Sequence, residues 1–127
     1  MTQEEKYMKA AIREAKKAYA LEEVPIGCVI VQNDRIIARG YNRRNTEGNT
    51  LAHAELTAIK KASKKTGDWR LEDCTMYVTL EPCCHYGKTP PCTQIIIERG
   101  IEKVYIGSYD PNPKVNGGGI KQLKDAG

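Results

Sequence analysis

Apolar residues recur at helical spacing in two parts of the chain. Residues 4–20 place Lys and Glu opposite an apolar stripe, which predicts an amphipathic helix that Pro25 helps to terminate. A second helix is predicted through residues 52–63, with Thr50 as its cap and Gly67 at its end. The predicted buried positions are Tyr7, Met8, Ala11, Ile12, Ala15, Ala18 and Tyr19 in the first helix, and Leu56, Ile59 and Ala62 in the second.

Strand patterns lie between and after these helices. Two β-branched runs, at residues 28–31 and 36–39, flank the turn-forming pair Asn33 and Asp34, and this arrangement predicts a β-hairpin. The remaining predicted elements are a buried strand at 74–80, a helix at 90–100, a strand at 102–108 and a short helix at 120–127.

The order of these elements predicts the fold class. Helices alternate with strands after the hairpin, which is typical of an α/β protein whose helix-connected strands pair in parallel. We therefore expect a three-layer α/β/α sandwich with a mixed central sheet. The length of 127 residues suits one core, so residues 1–127 are predicted to form a single domain.

Composition narrows the cellular setting. The longest apolar runs are too short to span a bilayer, and the charged N-terminus has no apolar signal core. A cytoplasmic protein with no membrane partner is therefore expected. The net charge of +4 suits an anionic small molecule or RNA, without deciding between them.

The cysteines carry the candidate chemistry. Of five cysteines, three lie within residues 79–92, and a cytosolic chain rarely keeps structural disulfides, so metal binding is favoured. A catalytic zinc site needs three Cys or His ligands and one open position. The candidate ligands are Cys83, Cys84, His85 and Cys92 in this cluster, and His53 at the start of the second helix.

Helix starts suit such a site, because their free N–H groups and dipole stabilise thiolates. His53 and Cys92 fall in the first turns of predicted helices, and Cys83 follows a predicted strand. Glu55 points about 200° away from His53 on a helix, so it fits an acid–base role better than a ligand role. Zinc lowers the pKa of its water to about 7, and a neighbouring carboxylate can take the proton.

The motif "HAE" followed by "PC…C" resembles the zinc deaminases of the cytidine and deoxycytidylate type. The resemblance runs from about Ala10 to Gly127. It implies a cytidine-deaminase-like fold and hydrolysis of a C–N bond of a cyclic amidine. It also implies that His53, Cys83 and Cys92 bind Zn²⁺ and that Glu55 shuttles the proton.

The C-terminal half is similar to one branch of these deaminases. Eight residues separate Cys83 from Cys92, and "TLEPCCHYGKTPPCTQIIIERGI" and "DPNPKVNGGGIKQLKDAG" resemble the deaminase domain of bacterial riboflavin-biosynthesis enzymes, which act on a phosphorylated diaminopyrimidine. That resemblance implies a substrate loop. Its candidate contacts are His85, Lys88 for the phosphate, and Asp110 and Asn112 for the sugar-phosphate.

The N-terminal half is similar to another branch. "EEVPIGCVIVQNDRIIARGYNRRN" and "WRLEDCTMYVTLEPC" resemble tRNA adenosine deaminases. Val24 stands where the riboflavin enzymes have a base-contacting Asn, and Asn42 matches the adenosine deaminases. By resemblance, Asn42 and Ala54 are the candidate base contacts. Both branches usually continue past the position of Gly127, so reductase activity is not expected and the RNA interpretation loses support.

Three functions follow as hypotheses. The favoured one is a zinc-dependent deaminase of a small aminopyrimidine or nucleotide, and the first alternative is a tRNA-specific adenosine deaminase. The second alternative is a non-enzymatic zinc-stapled binding module, which leaves Glu55 without a role. The expected partners are a small-molecule substrate, with tRNA as the less favoured one, and by resemblance a second copy of the chain in a homodimer.

Overall fold

The computed structural model describes residues 2–43, 53–79 and 92–107, and for residues 92 and 93 the backbone alone. The elements are α1 (Gln3–Ala20), β1 (Gly27–Gln32), β2 (Arg35–Tyr41), α2 (Ala54–Thr66), β3 (Cys74–Val78), α3 (Cys92–Glu98) and β4 (Lys103–Ile106). Each corresponds to a predicted element. The predicted helix at 120–127 and the predicted cap Thr50 lie outside the described residues.

The four strands form one mixed sheet in the order β2-β1-β3-β4. β1 runs antiparallel to both β2 and β3, whereas β3 and β4 are parallel. The mixed sheet is confirmed. The expectation that helix-connected strands pair in parallel holds for β3 and β4, which α3 connects. It is wrong for β2 and β3, which α2 connects, because these two strands do not pair and β3 pairs antiparallel with β1 instead. α2 packs on β2 and β1, and it carries the chain across β1. β2 and β3 therefore run in the same direction with β1 between them.

The hairpin turn is confirmed at Asn33 and Asp34. Their φ angles are 52° and 61°, which is the backbone that a two-residue turn needs to match the twist of the strands. A bulge leaves Ile37 without a partner in β1, because Ile30 pairs with Ala38 and Val31 pairs with Ile36.

α1 presents small residues to the sheet. A Cβ at Gly27 would collide with the backbone of Ala11 and Ala15, so α1 rests directly on the start of β1. The buried residues are Tyr7, Ala10, Ala11, Glu14, Ala15 and Ala18. The predicted stripe is partly wrong, since Ile12 is 42% exposed and Tyr19 is 74% exposed. Opposite Gly27, where helix and sheet come closest, α1 presents Ala11 and Ala15, and Tyr7 is buried one turn earlier. Ile12 and Tyr19 lie outside this buried face.

α2 approaches the opposite face of the sheet in the same way. A Cβ at Gly40 would lie 2.5 Å from the Ala54 carbonyl oxygen and 2.9 Å from the Ala58 nitrogen. Ile59 and Ala62 are buried as predicted, but Leu56 is only half-buried, and Ala54, Glu55 and Ala58 take the remaining inner positions. The helix ends at Gly67, as predicted, where φ is 75°.

Two apolar cores result, one on each side of the sheet. One joins the sheet to α2 and α3, and the other joins it to α1. The second core holds three tyrosine rings. Tyr77 stacks on Tyr105 with their centroids 4.8 Å apart, and it is tilted against Tyr7 with their centroids 5.2 Å apart. The three-layer α/β/α arrangement is confirmed. Among the described helices, none has the length and apolar character needed to cross a membrane.

We predict that Gly40→Ala moves the start of α2 away from the sheet. Overpacking of this kind should lower the free energy of unfolding by about 1–3 kcal/mol. A displacement of about 1 Å at a catalytic group can cost roughly 100-fold in rate. Urea denaturation and turnover per folded protein measure the two effects.

Gly67→Ala is the matched control, because its Cβ would meet nothing within 4 Å and only its φ of 75° would be strained. It should cost about 1–2 kcal/mol while retaining turnover. Equal losses of activity in the two variants would contradict the role assigned to Gly40.

Candidate active site

Several backbone segments meet at one end of the sheet, where β2 and β3 end and β1 begins. The Asn42 N–H donates to the Ile26 carbonyl oxygen at 3.1 Å, and the Thr79 N–H donates to the Gly27 carbonyl oxygen at 3.0 Å. The Gly27 N–H donates in return to Thr79 Oγ1 at 3.1 Å. α2 begins at this end, directly after His53. The carboxyl ends of strands therefore frame the site, where α/β sheets usually bind ligands.

The first turn of α2 positions His53 and Glu55. His53 is the N-cap residue, with φ −76° and ψ 149°, and its carbonyl oxygen accepts the Thr57 N–H at 2.9 Å. His53 is half-buried, whereas Glu55 is only 4% exposed. The N-terminal end of a helix stabilises a carboxylate through its dipole. The structure therefore holds a shielded carboxylate two residues from the predicted imidazole ligand.

Cys28 lies close enough to Glu55 for the charge of the carboxylate to affect the pKa of the thiol. Its side chain is fully buried in the core between β1 and α2. Burial first, and the Glu55 carboxylate second, raise the pKa of the Cys28 thiol well above its usual value. Cys28 and Cys74 are both free cysteines with buried side chains. Cys28 is therefore a neutral neighbour of Glu55.

Asn42 has a polar atom that the described protein leaves unsatisfied. The residue is 5% exposed. Its Oδ1 atom is buried and has no hydrogen-bond donor within the part of the chain that the structure describes. A buried acceptor in this state costs about 1–3 kcal/mol. Such a group is typical of a position that meets a donor from a ligand.

Ala54 has a different environment from Asn42. Its methyl group is fully buried in the core under α2. A substrate contact by Ala54 would therefore use its backbone N–H, which belongs to the first turn of α2 and lacks an intrahelical acceptor.

The other predicted site residues are only partly covered by the structure. Cys92 begins α3, which packs near α2 on the same face of the sheet. The remaining predicted residues outside the described ranges are Cys83, His85, Lys88, Asp110 and Asn112. Within the described ranges no group of three His, Cys, Asp or Glu side chains could hold a metal. The three-ligand set thus stays a prediction.

The donors that the structure describes fit zinc chemistry. His53 and the Cys92 backbone both occupy helix starts on one side of the sheet, and imidazole and thiolate are the ligands that zinc prefers. Together with Cys83 they would hold the ion, which supplies an activated water when bound. Glu55 is buried in the first turn of α2, two residues after His53, and a carboxylate in such a position can accept and donate a proton.

Sequence reasoning missed the roles of Cys28 and Thr79. Thr79 ties the end of β3 to the start of β1 through its hydroxyl, and Cys28 packs near Glu55. Alternation along β1 places residues 28 and 30 on the same face, and that signal could have placed Cys28 under α2. Nothing local in the sequence pairs Thr79 with Gly27, which is 52 residues away.

Comparison with known proteins gives the family. The sequence model for the "Cytidine and deoxycytidylate deaminase zinc-binding region" matches residues 1–108. The chain belongs to this family of zinc-dependent hydrolytic deaminases, and zinc is its cofactor. The alternative of a non-enzymatic zinc-stapled module is therefore set aside.

Two groups of relatives within the family bear on the substrate. The tRNA-specific adenosine deaminase of Bacillus subtilis is 50% identical over 117 residues, covering 92% of this chain and 69% of that protein. The riboflavin biosynthesis protein RibD of Actinobacillus pleuropneumoniae is 46% identical over 123 residues, covering 95% of this chain and 30% of that protein.

A solved structure from the second group has the same fold. It is the diaminohydroxyphosphoribosylaminopyrimidine deaminase/5-amino-6-(5-phosphoribosylamino)uracil reductase of Thermotoga maritima. The TM-score is 0.84 and the identity 46%, covering 98% of this chain and 34% of that chain. The chain thus spans about a third of the bifunctional proteins that it matches.

We predict that Glu55→Gln removes turnover without unfolding the site. The amide has the shape of the carboxylate but cannot take a proton, and a general base contributes about 100- to 10,000-fold in rate. Ammonia release measures the loss, and metal analysis should show that zinc is retained.

Glu14→Gln is the matched control, since Glu14 is 3% exposed and bonds Lys17 on α1 at 2.8 Å. It should leave turnover per folded protein unchanged. Turnover that survives in Glu55→Gln would exclude Glu55 as the proton carrier.

Proposed function

We propose that the chain deaminates a small phosphorylated aminopyrimidine of the diaminohydroxyphosphoribosylaminopyrimidine type. The observation that carries the proposal is the segment between Cys83 and Cys92, which has eight intervening residues and includes Lys88. Support comes from the Thermotoga maritima enzyme, whose similarity extends over 98% of the chain. This substrate would need a phosphate contact, and a lysine in the loop beside the metal would supply one.

Each site residue takes a role in this reaction. His53, Cys83 and Cys92 hold zinc. Glu55 takes one proton from the attacking water and delivers it to the ring nitrogen. It then moves the second proton of that water to the amino group, whose bond to the ring carbon breaks to release ammonia. The burial of Glu55 supports this role, because bulk water is kept from the carboxylate that carries the proton. The proposed substrate contacts are Asn42, the Ala54 N–H, His85, Lys88, Asp110 and Asn112.

The proposal also covers the domain organisation, the cellular location and the oligomeric state of the protein. We infer one deaminase domain over residues 1–127, acting in the cytoplasm as a homodimer whose helices form the interface. Light scattering coupled to gel filtration measures the oligomeric state.

We predict that the zinc-loaded protein releases ammonia from the phosphorylated aminopyrimidine in preference to other substrates. The panel contains its dephosphorylated form, free bases, nucleosides, dCMP and a tRNA anticodon stem, with Glu55→Ala as the inactive control. Lys88→Ala should raise KM for the phosphorylated compound and leave KM for the dephosphorylated one unchanged.

Lys9→Ala is the matched control for Lys88→Ala, because Lys9 is exposed on α1 and should have no effect. Turnover of the tRNA stem alone would reverse the ranking of the two substrates.

A second candidate, deamination of adenosine in tRNA, is favoured by Asn42. This residue matches the adenosine deaminases in the sequence, and its Oδ1 atom is buried without a donor in the described part of the chain. An exocyclic amino group or a ring N–H of a base would satisfy it. The 50% identity to the Bacillus subtilis tRNA-specific adenosine deaminase supports the same interpretation.

We predict that Asn42→Leu separates stability from substrate binding. Replacing an unsatisfied buried acceptor with an apolar side chain should leave the free energy of unfolding unchanged or raise it, whereas loss of one hydrogen bond should raise KM about 10-fold. Thermal unfolding and steady-state kinetics on the preferred substrate measure the two effects.

Gln32→Leu, at the opposite end of β1, is the control and should leave KM unchanged. A lower melting temperature with unchanged KM would mean that Asn42 serves the fold alone.

A further inference from the structure

The outer surface of α2 carries a concentration of positive charge. Lys60, Lys61, Lys64 and Lys65 are all exposed, and together we call them the α2 lysine surface. The only acidic residue of α2 is the buried Glu55. Within the described ranges, none of the four lysines forms an ion pair.

This arrangement works against the stability of the helix. Lys60–Lys64 and Lys61–Lys65 are like-charged pairs four residues apart, which destabilise a helix. Only the lysines of the last turn gain from the helix dipole. α1 differs, since acidic residues lie among its lysines, and Lys17 bonds the Glu14 carboxylate at 2.8 Å. The unbalanced charge on α2 is therefore a feature that helix formation alone does not explain.

The positive surface continues onto the hairpin. A surface cavity of about 490 Å³ is lined by Arg35 and Lys65, together with Gln32, Asn33, Ile36 and Ile37. Arg35 also has no ion pair among the described residues. The cavity lies at the turn end of β1 and β2, whereas the candidate active site lies at the other end of these strands.

Acidic residues bound the surface on one side. A second cavity, of about 330 Å³, is lined by Asp68, Glu72 and Asp73 together with Gln32, Thr66 and Arg70, of which Arg70 pairs with Asp68 at 3.5 Å. An anionic partner would therefore run from the Arg35 cavity along α2 toward Lys61, away from these carboxylates. Lys61 and Lys65 lie about 6 Å apart along the helix axis.

We propose that the α2 lysine surface, together with Arg35, binds the phosphodiester backbone of RNA without reading its sequence. This binding goes beyond the proposed deamination and does not depend on it. The exposed large apolar residues of the described ranges are Ile12, Tyr19, Leu21, Val24, Trp69 and Ile97, none of them on α2. Protein interfaces use aromatic anchors and are depleted in Lys, whereas RNA backbones are bound by rows of cations.

The test compares two variants that each lose three positive charges. One is Lys61→Gln with Lys65→Gln and Arg35→Gln, and the other is Lys6→Gln with Lys9→Gln and Lys16→Gln on the exposed side of α1. Fluorescence anisotropy of a labelled single-stranded RNA of mixed sequence is measured over a series of salt concentrations. Gln keeps a high helix propensity, so both variants should fold.

The first variant should lose three phosphate contacts. The slope of log affinity against log salt should then fall in magnitude by about 2, which corresponds to roughly a 100-fold loss of affinity at about 0.1 M salt. The α1 variant should bind as the unchanged protein does. Lys61→Arg with Lys65→Arg should retain binding, because the charge is kept.

Several results would overturn the proposal. Glu55→Ala should bind RNA as tightly as the unchanged protein does, and loss of binding in that variant would place the RNA at the catalytic site. Equal losses of RNA affinity in the two triple variants would show that binding depends on the net charge of the protein and not on the α2 lysine surface. Labelled polyaspartate that binds more tightly than RNA at equal charge concentration, and that loses binding in the first variant, would indicate an acidic protein partner. A change in oligomeric state without a change in RNA binding would indicate a second copy of the chain.

Discussion

The close contact between helix backbones and the sheet is the constraint on which the rest of the structure depends. Gly27 and Gly40 lack the Cβ atoms that would hold α1 and α2 away from β1 and β2. The alanines of both helices fill the narrow space that remains. Because α2 can rest on Gly40, its first turn lies at the end of the sheet. The positions of His53 and Glu55 follow from that packing.

The same contact explains how a carboxylate can be kept away from water near the site. Burying a charge is costly unless other groups stabilise it. Glu55 lies in the first turn of α2, where the helix dipole favours negative charge. Its neighbour Cys28 stays a neutral thiol because burial and the carboxylate both raise its pKa, so no second negative charge competes. The fold thus provides a shielded carboxylate at the start of a helix, as the proposed role of Glu55 as proton carrier requires.

Local patterns in the sequence predicted the elements, but not how they face one another. The turn at Asn33 and Asp34 and the end of α2 at Gly67 follow from backbone chemistry that single residues reveal. Tyr7 and Ile59 are buried as predicted. Ile12, Tyr19 and Leu56 were also expected inside, but beside the glycines of the sheet the helix backbones come too close to admit more large side chains. The antiparallel pairing of β1 with β3 depends on where the chain returns after α2. His53 and Glu55 could be identified as candidate site residues because the "HAE" motif places a possible metal ligand and a carboxylate two residues apart.

The two resemblances within one chain become compatible once the parts of the site are separated. Asn42 and the first turn of α2 belong to the rigid frame, which hydrogen bonds between strands hold together. Lys88 and the cysteines around it belong to the segment between β3 and α3. The resemblance to the adenosine deaminases and the resemblance to the riboflavin enzymes therefore fall on different parts of the chain. The proposed ring contact Asn42 lies in the frame, and the proposed phosphate contact Lys88 lies in the segment between β3 and α3.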